Sequence, residues 1–183
     1  MALSETFENT VFRKTEDNTF ELCVFNRCTF EDISDCKFLQ CEFHSCNFSN
    51  CKTNGTSIQE TLFDTCKMLG VDFSRCNKFM MSFEFKNCVL DYSNFTKTEI
   101  PRTLFRNCSM KEVLFEGTDL RDSDFSESDL QRASFHNCNL SHCDFSTARN
   151  YCIFPENNNM KRAKFSISGL QGLLTKFDIE ICG

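Results

Sequence analysis

A chain of 183 residues and 21.3 kDa with 40% apolar composition suits one domain with a sizeable core. Its net charge of −6 and pI near 5.1 argue against nucleic acid as a direct partner, and no run approaches the ~18 apolar residues of a membrane span. The aromatic content is 22 Phe with 2 Tyr and no Trp, bulk without polar handles that suits a dry interior.

In chain order, Met1-Ala2-Leu3-Ser4-Glu5-Thr6 has neither a basic nor an apolar segment of signal-peptide length, so a cytoplasmic location is expected. The 14 Cys are then expected to stay reduced, not to form a disulfide framework, and no Cys-x2-Cys knuckle marks a metal site. Their commonest spacing is five, as in Cys36, Cys41, Cys46 and Cys51.

Large apolar residues follow the same spacing. Phe20, Phe25 and Phe30 begin the series, and Phe38, Phe43, Phe48, Thr53, Ile58, Phe63, Met68 and Phe73 continue it. From Phe85 to Phe145 every fifth residue is large and apolar, with Phe alternating with Leu, Ile or Met. Two residues before each centre sits something small (Cys, Ser, Thr, Ala or Val), with Phe83 the exception, and twelve of the 14 Cys take that position as compact core residues. A period of five fits neither a helix nor a plain strand. It fits a coil that turns a corner every five residues and stacks on its neighbours at about 4.8 Å. The alternation with period ten favours four sides, with Phe85, Phe105, Phe125 and Phe145 in one column and Phe95, Phe115 and Phe135 on the facing wall. Three register breaks interrupt the count, near 13–18, 31–35 and 75–83. The steps of eight from Phe12 to Phe20 and from Phe30 to Phe38 suggest about three inserted residues each, and the register shifts by two near 75–83; the extra residues are expected to bulge outward.

Ser123-Asp124-Phe125-Ser126-Glu127 and Cys143-Asp144-Phe145-Ser146-Thr147 resemble the motif of the pentapeptide-repeat family, which is a small residue, Asp or Asn, Leu or Phe, then two variable polar positions. The resemblance covers about 10–147 and implies a right-handed quadrilateral β-helix.

The expected organisation is an all-β solenoid over 1–150 followed by a capping and dimerisation segment over 151–183. In that segment Ser166 or Ser168 is placed to cap a short helix with a stripe of Leu170, Leu173, Leu174 and Phe177, and Asp178-Ile179-Glu180-Ile181-Cys182 alternates like a strand. Leu173-Leu174 and Ile179-Glu180-Ile181-Cys182-Gly183 are similar to the carboxyl end of the Qnr quinolone-resistance proteins. In that subgroup and the related MfpA and microcin-immunity McbG proteins, the resemblance implies a homodimer built on this tail, here through Leu170, Leu173, Leu174, Phe177, Ile179 and Ile181.

No catalytic constellation, cofactor motif or metal-ligand spacing emerges, so no enzyme is expected; His44, His136 and His142 all fall on outward repeat positions. Charge is more informative. Glu112, Glu116, Asp119, Asp122, Asp124, Glu127 and Asp129 stand against Arg121 alone over about one coil, so they are expected to form an acidic ring. Asp before a centre is ordinary repeat grammar and accounts for Asp119, Asp124 and Asp129. Resemblance to Qnr and MfpA implies a DNA mimic that binds DNA gyrase or topoisomerase IV and counters quinolones or toxins acting there. The competing expectation is a structural scaffold without a topoisomerase target.

Overall fold

The computed structural model describes residues 1–14, 18–177 and 179–180. Short strands of two to four residues and isolated bridges stack in parallel on the walls of successive coils, and every fourth corner returns the chain to the wall it left. On the first wall Thr6–Glu8, Val24–Asn26, Glu42–His44, Thr61–Asp64, Phe83–Lys86 and Leu104–Arg106 form a six-stranded parallel sheet. Isolated bridges such as Leu104↔Asp124 and Asp124↔Asp144 carry that wall on to the pairing of Phe145 with Phe165.

The core follows from what each wall stacks. The first wall is a continuous column of Phe7, Phe25, Phe43, Phe63, Phe85, Phe105, Phe125, Phe145 and Phe165, with successive ring centroids 4.6–5.4 Å apart and near parallel. The facing wall stacks Phe73, Phe95, Phe115 and Phe135 at 4.5–5.2 Å. The two facing columns meet edge to face across the core, as in Phe95–Phe105 at 5.8 Å and 86°, the arrangement that ring quadrupoles favour. The four-sided coil expected from the alternation is therefore present.

The early coils solve the same filling problem differently. Phe38, Phe43 and Phe48 occupy the fourth, first and second walls in one pass round the coil, and the third receives the small Thr53. Aromatic bulk then moves from the second and fourth walls to the third at Phe73, keeping each layer full.

The residue two before each centre does more than fill space. Cys46 donates its thiol to the Phe25 carbonyl at 3.3 Å, Cys66 to Phe43 at 3.2 Å and Cys88 to Phe63 at 3.3 Å, each one coil back. Ser128 at the equivalent place donates to Phe105 at 2.8 Å. Cys in the earlier coils gives way to Ser128 there because both are small and both can donate to a buried carbonyl. The corners themselves use the left-handed region, as at Asn107 (φ 52°) and Glu127 (φ 60°).

The breaks divide into two kinds. Phe7 lies under Phe25 and Phe25 under Phe43, so the first two coils run 18 residues instead of 20. The expected insertions at the steps of eight are thus corrected: two walls are crossed in eight residues instead of ten. Between Phe30 and Phe38 the third wall is filled by buried Ile33, whose N–H reaches the next coil at Lys52. In the other step, 15–17 lie outside the described residues. Near 75–83 Phe63 lies under Phe85, so this coil runs 22 residues. There Asn77, Lys78, Phe79 and Met80 bulge outward and Met81 turns back into the core.

Beyond the last full coil the chain forms a cap. Ser166 accepts a hydrogen bond from the Gly169 N–H at 3.1 Å and so opens the turn Ile167–Gly169. A helix of one turn, Gln171–Leu174, follows. Of the expected terminal strand, Ile179 and Glu180 are not in strand, while Asp178, Ile181 and Cys182 lie outside the described residues.

Candidate partner-binding surface

The seven acidic residues of 112–129 sit where one coil passes all four walls, so they encircle the rod as a ring. The ring is partly neutralised from within the molecule. Asp119 pairs with Arg121 at 2.8 Å, Asp124 with Arg106 at 2.8 Å, Asp129 with Lys111 at 3.7 Å and Glu112 with Arg132 at 3.5 Å. Glu116, Asp122 and Glu127 carry no ion pair among the described residues and supply the ring's open charge. Burial alone would raise the Asp124 carboxyl, but hydrogen bonds from Ser126 and Arg106 outweigh it and hold the group below its usual range.

In the tail, Leu173 packs against the core and Leu174 is half-buried, so these two serve the cap. Leu170, Phe177 and Ile179 are exposed at 43%, 56% and 55%. Ile181 lies outside the described residues. Ile167, in the turn before Leu170, is 91% exposed and is a further exposed apolar residue of the tail. A second apolar feature is the bulge, where Phe79 and Met80 are 70% and 65% exposed. Its signal was already present: a register break that carries large apolar residues has no core wall to put them on.

His44 lies 3.0 Å from Glu42, while His136 and His142 are exposed. Among the described residues no group of His, Cys, Asp and Glu is gathered as a metal ion would need. Burial pushes the Cys41 thiol up to about 11 and those of Cys51, Cys76 and Cys143 up to about 12. Hydrogen bonds among stacked thiols, then burial, raise Cys66 and Cys108 further. Such thiols are poor nucleophiles. No helix of the described residues is long and apolar enough to cross a membrane.

Parallel coils on four walls around paired aromatic columns define the class, a right-handed quadrilateral β-helix. Two family models match consecutive stretches, pentapeptide repeats (8 copies) over 41–77 and the pentapeptide repeat region over 78–149. Together these span more than half of the chain, which belongs to the pentapeptide-repeat family. No curated protein matches it in sequence. Among solved structures, two trypsin-treated variants of QnrB1, a plasmid-mediated fluoroquinolone resistance protein, are similar at TM-scores of 0.69 and 0.68. They are 16% and 17% identical, and 99% of each chain is covered. HetL, a pentapeptide repeat protein involved in heterocyst differentiation regulation in the cyanobacterium Nostoc, is similar at a TM-score of 0.54 and 12% identity, over 90% of this chain and 85% of that one.

Proposed function

We propose that this protein is a non-enzymatic rod that binds a type II topoisomerase, DNA gyrase or topoisomerase IV, as a DNA mimic and protects it from quinolones or toxins acting there. The observation that carries the reading is the extent of the likeness to QnrB1, 99% of both chains, which takes in the cap as well as the coils. The open charge of Glu116, Asp122 and Glu127 suits a basic DNA-binding saddle. Exposed Leu170, Phe177 and Ile179 supply an apolar face for a homodimer, which would present two acidic rings in line. The exposed Phe79–Met80 bulge is a further apolar contact for a partner, on an earlier coil.

A second reading, a scaffold with no topoisomerase target, is favoured by the internal pairing of Asp119, Asp124, Asp129 and Glu112, which leaves less charge to offer. Supercoiling by purified gyrase, with and without a quinolone, separates the two. The proposed role requires that the protein change supercoiling or restore it in the presence of drug, and that Glu116→Gln, Asp122→Asn and Glu127→Gln together weaken the effect. No effect and no rescue at micromolar protein would leave the scaffold reading alone standing.

A further inference from the structure

We propose that the cleft between the last full coil and the C-terminal cap is a binding site for a phosphorylated small molecule. The cleft has a volume of about 650 Å³, within the range of small-molecule sites, and a single inorganic phosphate would leave most of it empty. Its coil side carries Arg132 and Arg149 and its cap side Ser166 and Ser168, and no carboxylate among the described residues lines it. Arg149 donates to the Glu127 carbonyl oxygen at 3.2 Å and has no carboxylate partner among the described residues. Arg132 reaches Glu112 only at 3.5 Å, in a pair exposed enough to be weak.

Tyr151 also lines the cleft; it is 5% exposed, and its hydroxyl is buried against Gly169 beside Ser166, which fixes the cap side of the cleft against the coil. Two planar guanidiniums and the hydroxyls of Ser166 and Ser168 give the wall positively charged donors with no anionic acceptor among the described lining residues. Phosphate oxygens offer several acceptors and full negative charge, and the guanidinium fork matches them in pairs. A ligand held by arginines of the coil and serines of the cap clamps the two together, so its binding also steadies the tail that carries Leu170 and Phe177. The proposal does not depend on a topoisomerase target.

The test is calorimetric titration of the full, reduced chain with pyrophosphate, paired with alkylation of Cys152 by iodoacetamide read by peptide mapping. Cys152 lines the cleft and, of the cysteines described, it alone is not buried. Saturable binding of one pyrophosphate per chain is expected, with slower alkylation of Cys152. Arg132→Ala with Arg149→Ala should weaken binding by at least about tenfold and abolish the protection. Arg121→Ala, outside the cleft, should leave both as they are. The proposal is overturned by an absence of saturable binding, by unchanged affinity in the double variant, by unprotected Cys152, or by citrate binding as tightly as pyrophosphate.

Discussion

The carbonyl oxygen of Tyr151 lies so close to Gly172 that a β-carbon at that glycine would overlap it. The Ile153 N–H donates to the Gly172 carbonyl at 3.0 Å, so the cap helix meets the last coil backbone to backbone and covers an edge that would otherwise stay unpaired. Gly172→Ala is therefore expected to unseat the cap at a cost of about 1–3 kcal/mol, in spite of alanine's better helix propensity. Limited trypsin digestion should cut faster at Arg162 and Lys176 in this variant. Gln171→Ala, one residue away and exposed, should digest as the parent does.

Phe105 stacks on Phe85 at 5.4 Å and on Phe125 at 5.0 Å, and none of the three exposes any surface. Phe105→Ala opens a hole in the column and is expected to cost about 3–5 kcal/mol, and Phe105→Leu roughly 1–2 kcal/mol. Urea unfolding should show both as shifts of midpoint. Leu104→Ala, the adjacent outward residue, should cost well under the Phe105→Ala value.

The donor role of the small positions distinguishes substitutions of similar size. Cys66 donates to the Phe43 carbonyl at 3.2 Å from a fully enclosed site. Cys66→Ser keeps a donor there, while Cys66→Ala, of nearly serine's size, loses it. Alanine is expected to be the more destabilising by about 1 kcal/mol, measurable in the same urea titrations. If alanine equals or exceeds serine in stability, the small positions act by size alone.

The core was legible in the sequence because it repeats: a residue that must face inward every five positions leaves its mark regardless of the rest. The column of Phe85, Phe105, Phe125 and Phe145 could be read in that way. Its extension down through Phe63, Phe43, Phe25 and Phe7 could not, since coils of 18 and 22 residues disturb the count. A step of eight reads equally as an insertion after one wall or as two short walls, and only buried Ile33 distinguishes them. The acidic ring was legible as composition, but its neutralisation was not. Arg106, Lys111 and Arg132 lie one coil from their partners and outside the segment that looks acidic. The cleft depends on how Tyr151 seats two cap glycines, a tertiary contact with no period to announce it.

Asp124 links the ring to acid stability. Arg106 donates to its carboxylate at 2.8 Å and Ser126 bonds it as well; together they outweigh the burial that would raise the group, so it titrates below its ordinary 3.8 in the fold. A carboxyl depressed by folding contributes stability that is fully present above its unfolded value and is lost as pH falls through the folded one. Asp144, held down by Ser146 and Lys164 against its own burial, acts in the same direction. Thermal stability should therefore be level with respect to these groups near neutral pH and decline below about pH 4. Asp124→Asn should be less stable than the parent by about 1 kcal/mol at pH 7, a modest figure because Arg106 is half exposed. Melting followed by circular dichroism from pH 7 to pH 2.5 should show the two curves converging in acid. A gap that stays constant over that range would mean that the variant loses packing instead of charge.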